Sequence, residues 1–403
     1  MEFGPIWRAS LRNKTGALLV VLQVAFTLAL IVNAVAIAER QARAMRQPVG
    51  VDEPNSFVLR SAAIVAEFNG RATSEEDLRQ LRGLPGVVAA VQMNSIPGSG
   101  GGMFMGLKTE PTEGLEEIGT SVYMVDEHGL EALGVALVAG QNFAPGDVQL
   151  REGNDSRWPS RTILSKTLAE AVFPGDASFG LGKVVYIDGT QPMTVIGIVE
   201  RLQAPWAMWE LAGHSILVPW RQAANDTSYF VRTEPGRRDA LMPEAEALLA
   251  GREPDRIIQN MLTMEQVREN ATDGNRALVN ILGFTVIVLV AITTLGVAGL
   301  TSFNVTRRYK QIGTRRALGA SRGAILRYFL AENLLFTLIG VGVGAAIAIA
   351  INILLVNMFG VPRFSLVWMP VSMAVLVAIS LLAVLFPAMR AGQVPPAVAT
   401  RTV

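Results

Sequence analysis

Residues 277–306 read ALVNILGFTVIVLVAITTLGVAGLTSFNVT, thirty positions without a charge, and residues 307–327 read RRYKQIGTRRALGASRGAILR, with seven cations and no acid. About 20 apolar residues are enough to cross a bilayer as a helix. A second uncharged run follows at 333–362, so the basic stretch is a short loop between two spans. A short loop rich in Lys and Arg is retained on the cytoplasmic side. The chain is therefore expected to be a membrane protein, with this loop as the candidate for a cytoplasmic docking surface.

Two further uncharged runs complete the count, 15–38 after Arg8, Arg12 and Lys14, and 364–389 before Arg390 and Arg401. The first is followed by Glu39-Arg40 and a helical polar run rather than a cleavage site, so it reads as an anchor and not a removed signal. Four transmembrane helices result, with both termini cytoplasmic and residues 390–403 as a cytoplasmic tail. Before the first span, Ile6, Trp7 and Leu11 share a helical face, which predicts an amphipathic helix over 1–14 at the inner membrane surface.

The formal charge of +1 conceals a division: residues 39–276 hold 22 basic and 32 acidic side chains, and the remainder hold 13 and 2. The cations outside 39–276 cluster at membrane ends, where they set topology. They do not form the patch of a nucleic-acid binder. Residues 39–276 have ordinary globular composition and are long enough for one large domain or two lobes, placed outside the cytoplasm. With no cysteine, thiolate metal sites and cysteine nucleophiles are excluded. His128 and His214 lack a partner at ligand spacing and read as surface or core imidazoles.

Good helix formers run from Glu39 to Arg46, and again from Glu265 through Arg276 into the second span. Two helices are thus expected to project outward as a stalk, with Glu39, Arg40 and Arg43 facing Glu265, Arg268 and Glu269. The outer domain reads as two β-α-β units, one before residue 92 and one after residue 227. Their pairing gives a ferredoxin-like, split β-α-β lobe. Ser74-Glu75-Glu76-Asp77 is the expected capped start of the first helix. Short strands interrupted by turns mark a β-rich insert over about 118–225, and 97–106 reads as a mobile lip. The fold class is α+β, a four-helix membrane protein with a two-lobed outer domain.

Gly175 to Gly180 has the glycine spacing of a phosphate loop, but Leu181 stands where lysine is required. No catalytic arrangement of nucleophile, base or metal ligands is recognisable. The spans hold the uncharged polar residues Gln23, Asn33, Asn280, Asn304 and Asn352, suited to interhelical hydrogen bonds. Ion and proton pumps need ionisable groups at that depth. The chain is expected to be a non-catalytic subunit with no cofactor of its own, its energy coming from another polypeptide.

The loop Tyr309-Lys310-Gln311-Ile312-Gly313-Thr314-Arg315-Arg316-Ala317-Leu318-Gly319-Ala320, with Ile325, Phe329-Leu330 and Glu332, resembles the cytoplasmic motif of MacB-type and FtsX-like ABC transporter permeases. Phe386-Pro387-Ala388-Met389-Arg390-Ala391 is similar to that family's C-terminus. Val125-Asp126-Glu127, Leu133-Gly134, Gly140-Gln141-Asn142-Phe143 and Phe173-Pro174-Gly175 resemble its periplasmic domain. The resemblance implies a stand-alone permease subunit, without a fused ATPase domain, in the bacterial inner membrane. Two separate ABC ATPase subunits would carry ATP and Mg and dock at Ile312, Gly313, Arg315, Arg316, Leu318, Gly319, Ala320 and Arg322, within a coupling region 307–332. Such permeases work in pairs, as homodimer or heterodimer, and ATP-driven closure rocks the stalk and the outer lobes. The small-residue face Gly340, Gly344 and Ala348 permits close helix packing, within or between protomers.

On this reading the subunit drives export of amphiphiles, peptides or antibiotics through a periplasmic adaptor and an outer-membrane duct. Two alternatives share the resemblance. One is an FtsX-like transmitter to an extracellular hydrolase, disfavoured by the size of the outer domain; the other is a permease for lipoprotein extraction. Membrane lipid is an expected partner and nucleic acid is not.

Overall fold

The computed structural model describes residues 14–395 apart from 66, 113, 115, 152–156, 254 and 360–366. The expected amphipathic helix over 1–14, apart from Lys14, and most of the tail lie outside these residues. The chain separates into two compact units, one built from the long helices and the other formed by Arg43–Gly274.

In the helical unit the four spans are α1 (Lys14–Arg46), α6 (Met264–Arg307), α8 (Arg322–Phe359) and α9 (Trp368–Gly392), with the short α7 (Tyr309–Ala317) in the basic loop. Each long helix contains a window of mean hydropathy 2.5. Three helices run well past the apolar runs that announce them, because good helix formers continue the hydrogen-bond ladder beyond the hydrocarbon. α1 stops only before Pro48, which cannot donate to that ladder.

The bundle core centres on Val24, Leu28 and Val32 of α1, fully buried with Val297, Ala348, Val384 and Ala388. Gly340 and Gly344 admit α1 at backbone distance: a Cβ on Gly344 would lie 2.6 Å from the Ala25 carbonyl oxygen, and one on Gly340 2.9 Å from that of Val21. The Asn33 amide then donates to the Ala348 carbonyl at 3.4 Å. All three small residues of this face therefore pack α8 on α1 within one chain. Polar clasps replace the hydrophobic drive that lipid removes. Gln23 donates to the Ile292 carbonyl at 3.1 Å, Thr27 and Thr293 share a 2.8 Å bond, and Asn333 donates to the Ser380 carbonyl at 3.3 Å.

The outer unit has two lobes. The first is an antiparallel sheet of β1 (Ser56–Ala63), β2 (Val87–Met93), β11 (Asp226–Thr233) and β12 (Arg256–Thr263), in the order β12-β1-β11-β2. With α2 (Gly70–Gly83) and α5 (Arg238–Ala250) covering one face, this is the ferredoxin-like arrangement, its second half delivered after a long insertion. α2 starts a turn earlier than its sequence suggests. Asn69, not Ser74, is the cap, accepting from the Ala72 amide at 3.1 Å, while Ser74 is buried and donates to the Arg71 carbonyl. A buried ion pair crosses beneath the helices. Arg256 bonds both oxygens of Asp77, and Tyr229 donates to Asp77 at 2.8 Å. Burial, then the adjacent carboxylate, pushes the Tyr229 phenol well above its ordinary value.

The second lobe begins at Met103 rather than near 118. β3 (Met103–Lys108) pairs with β4 (Ile118–Val125), so the back half of the expected lip is a strand. Its front half is tied down, Gly100 donating to the Pro205 carbonyl at 2.8 Å. β8 (Val184–Ile187), β9 (Gln191–Val199), β7 (Arg161–Ser165) and β10 (Ser215–Gln222) follow, and β10 returns to pair with β4. The strands close into a circuit around Leu107, Val122, Ile187, Val195 and Ile216. Two short strands, β5 (Leu137–Gly140) and β6 (Gln149–Arg151), pair at its rim with β9 and β10. The open face of the first lobe packs on this closed sheet through Val58, Val91 and Phe230 against Tyr123, Val125 and Leu217.

Candidate functional site

The basic loop is a short helix anchored on one side and presented on the other. Ile312 and Gly313 are buried against the bundle. They were expected at the docking surface and instead fasten it from behind. α7 ends in a left-handed glycine closure. The Gly319 amide donates to the Arg316 carbonyl at 3.1 Å and the Ala320 amide to that of Arg315 at 3.0 Å, with Gly319 at φ +94°. This Schellman pattern satisfies carbonyls that a helix end leaves open, and the left-handed turn is what glycine tolerates. Ser321 then caps α8, accepting from the Ala324 amide at 3.1 Å.

The tight turn lifts Leu318 out, 84% exposed, the most exposed large apolar side chain among the described residues. Arg315 and Arg322 are exposed on either side. Arg315 stacks over Tyr328, its guanidinium carbon 4.9 Å from the ring centre. Arg316 turns partly inward, with a 3.4 Å contact to the Ala320 carbonyl. The named loop residues thus separate: Ile312, Gly313 and part of Arg316 hold the turn, and Arg315, Leu318, Gly319 and Arg322 present it.

Two residues outside the expected docking set fix this helix to the bundle. At the break between α6 and α7, Arg308 donates to both oxygens of Glu332 on α8, at 3.1 and 2.9 Å, and Glu332 is 8% exposed. The sequence did carry a signal, since Glu332 is the first acid after a run of seven cations. The end of α9 joins the same anchor: a Cβ on Gly392 would meet the Arg322 carbonyl at 3.2 Å, and Ala388 and Ala391 are fully buried.

The charges expected to pair across the stalk have further partners. Glu265 receives Arg238 at 2.7 and 2.9 Å, and Arg268 reaches Glu53 at 3.2 Å, both within the outer unit. Burial works to raise the Glu265 carboxyl, but the hydrogen bond from Arg238 prevails and holds it below its ordinary value. Glu39 accepts from the Trp368 indole within the helical unit. The partners of Arg40, Arg43 and Glu269 lie outside the contacts described.

In the outer unit the motif residues Asp126, Gly134, Gly140 and Asn142 fix turns of the second lobe. Asp126, 1% exposed, accepts from Arg82 of the first lobe at 2.6 Å and from the His128 amide at 3.0 Å. Gly134, at φ +69°, closes α3 (Gly129–Leu133). Gly140, at φ +80°, passes so near the Ile196 carbonyl that a Cβ would lie 2.2 Å away. Asn142 donates to the Glu127 carbonyl at 2.8 Å. Asp126 and Gly134 meet the first lobe at Arg82 and Arg232, whereas the contacts of Gly140 and Asn142 lie within the second. They carry no reactive group.

Residues 17–248 match the MacB-like periplasmic core domain, and residues 283–396 match the FtsX-like permease C-terminal domain. The uncharacterized ABC transporter permease YknZ of Bacillus subtilis is 24% identical over 66% of this chain and 63% of its own length. The macrolide export ATP-binding/permease protein MacB of Chromobacterium violaceum is 26% identical over 56% of this chain and 34% of its own. The chain thus spans about a third to two thirds of these relatives. Two solved structures are similar in their outer domains. The YknZ extracellular domain is 19% identical with TM-score 0.33, covering 50% of this chain and 100% of that one. The periplasmic region of MacB from Actinobacillus actinomycetemcomitans is 15% identical with TM-score 0.35, covering 56% and 96%. One family model covers more than half of the sequence and the other covers the last three spans, so the chain belongs to the family of MacB-like, FtsX-like ABC transporter permeases.

Proposed function

We propose that this permease couples ATP hydrolysis on two separate ABC ATPase subunits to movement of its outer domain, driving export of amphiphiles, peptides or antibiotics through a periplasmic adaptor and an outer-membrane duct. It sits in the inner membrane with both termini and the basic loop in the cytoplasm, and it works with a second permease protomer. The observation that carries this reading is Leu318: a bare apolar side chain between cations, on a helix fixed from behind by Ile312 and by Arg308 with Glu332. A rigid apolar knob with a polar rim is what a protein partner can grip. The anchored helix would pass a push on that knob to α6 and α8.

Leu318→Asp is expected to reduce stimulation of a co-expressed ATPase at least about tenfold, the scale of a single interface anchor, without loss of membrane insertion. Undiminished stimulation and co-purification would refute the docking role. For topology, Ser99→Cys is expected to react with an impermeant thiol reagent from outside, and Ser321→Cys only after the inner membrane is opened. The reverse pattern would overturn the orientation.

A further inference from the structure

We propose that the second outer lobe carries a site for a small organic cation, an alkylated ammonium, at an aromatic corner where Phe104 and Trp209 meet beside the Glu117 carboxylate. Met103 and Met105 pack against the core of the lobe, so the alternation of a strand turns Phe104 outward, where it is 54% exposed. Trp209 stands edge-on to it, the ring centres 5.3 Å apart at 76°. Trp206 stands against Trp209 in turn, at 5.9 Å and 85°.

A pair of glycines builds this corner. Gly106 and Gly119 face each other across β3 and β4, where cross-strand partners stand about 5 Å apart. A Cβ on Gly119 would lie 2.8 Å from the Phe104 ring and 3.2 Å from that of Trp209, and one on Gly106 would strike the Glu117 carboxylate. Glycine inside a strand marks the close approach of another group. Here the two approaches set a carboxylate and two aromatic rings in adjoining positions on one face of the sheet.

The corner is held from beneath. Trp206 and Trp209 ride on the segment 202–214, whose carbonyls accept from four fully buried hydroxyls. Ser215 donates to Leu202 at 2.9 Å, Tyr123 to Gln203 at 2.6 Å, Ser165 to Gly213 at 2.6 Å and Ser121 to His214 at 3.1 Å. Between them the Trp209 amide donates to the Trp206 carbonyl at 3.1 Å, closing a turn. Rings fixed before a ligand arrives spare binding the cost of ordering them.

The surroundings set the charge of the ligand. The face of an aromatic ring carries negative potential and attracts a cation. Residues 103–125, the hairpin that bears Phe104, hold four acids and one cation. That cation, Lys108, lies 3.1 Å from Glu117 and is 13% exposed against 49% for Glu117, so a ligand meets the carboxylate more readily than the lysine. Alkyl groups suit the rings and displace the water that a bare ammonium holds tightly. The proposal concerns binding alone and stands apart from the export reading.

The test uses the full chain, labelled with fluorotryptophan, in an uncharged maltoside detergent and titrated with choline. Trp206→Phe and Trp209→Phe assign the fluorine NMR signals. Saturable shifts at Trp209 are expected. The neutral isostere of choline, with carbon in place of its nitrogen, should bind at least about fivefold more weakly, the scale of one cation–π contact. Phe104→Leu keeps apolar bulk without the ring and should weaken choline binding by a similar factor. Glu117→Gln should weaken it too, also in a Lys108→Gln background that leaves no lysine unpaired. Melting temperature serves as the folding control for each variant. No saturable shift in the folded wild type, equal affinity for the neutral isostere, or unchanged affinity in Phe104→Leu or Glu117→Gln would overturn the proposal.

Discussion

Arg308 grips both oxygens of Glu332 across two helices, at 3.1 and 2.9 Å, at the point where the second span gives way to the basic loop. Removing one partner of a largely buried pair leaves the other charge uncompensated, a loss that approaches about 3 kcal/mol as burial becomes complete. Glu332→Ala is therefore expected to lower the thermal stability of the detergent-solubilised protein and to loosen the loop. Exchanging the pair, Arg308→Glu with Glu332→Arg, should recover much of the loss. A double variant no better than the worse single one would show that the pairing is not the source of the effect.

The contact between α8 and α1 predicts intolerance of bulk. A Cβ at Gly344 would lie 2.6 Å from a backbone oxygen, which cannot turn aside as a side chain can. Gly344→Leu should prevent accumulation of folded protein, measured as the monodisperse fraction after solubilisation. Gly342 has nothing within 4 Å of its Cβ position, so Gly342→Leu should leave that fraction unchanged.

Beneath the helices of the first outer lobe, Arg256 and Asp77 are both essentially inaccessible to solvent. Arg256→Met should destabilise the domain by about 3–5 kcal/mol, because Asp77 would be left buried and charged. Adding Asp77→Leu to that variant should return part of the loss. Denaturant unfolding of the full chain, followed by tryptophan emission, separates these outcomes.

His214 gives a pH dependence of definite sign. Burial, opposed by its contact with the Gly119 carbonyl, holds its imidazole below the ordinary 6.5. The unfolded chain takes up a proton near pH 6.5 and the folded chain does so only at lower pH. Stability from this group is therefore complete above about pH 6.5 and declines as pH falls through the window below it. His214→Gln should flatten the slope of melting temperature between about pH 6.5 and 5. An unaltered slope would assign the effect elsewhere.

Much of this architecture was legible because its signals are long. Runs such as 277–306 are unambiguous at bilayer length, and the two β-α-β units announce themselves by a change of period. The small-residue face at Gly340, Gly344 and Ala348 was visible as spacing, but spacing does not say that its partner is α1 of the same chain. Short elements escaped. β3 begins at Met103 directly after a glycine-rich stretch, and turn composition outweighs strand propensity over so few residues. β7, at Arg161–Ser165, has only five residues and runs straight into a helix. In the basic loop, composition marked the cations but could not tell which side of a nine-residue helix faces inward. Ile312 was therefore grouped with Leu318, although the two point opposite ways. Ion pairs such as Arg308 with Glu332 and Arg82 with Asp126 depend on separations of 24 and 44 positions, which no local pattern encodes.

The closed circuit of strands in the second outer lobe limits how neighbours can be recognised. An open sheet invites a foreign chain to add itself at the margin through backbone hydrogen bonds alone, with little regard to side chains. Here the return of β10 to β4 removes that opportunity, and among the described residues only β5 and β6, four and three residues long, fringe the rim. Extended, half-folded polypeptides can therefore pass the lobe without zipping onto it. Whatever does hold on must read side chains and loops. The lobe is thereby both inert to casual contact and free to acquire new acquaintances.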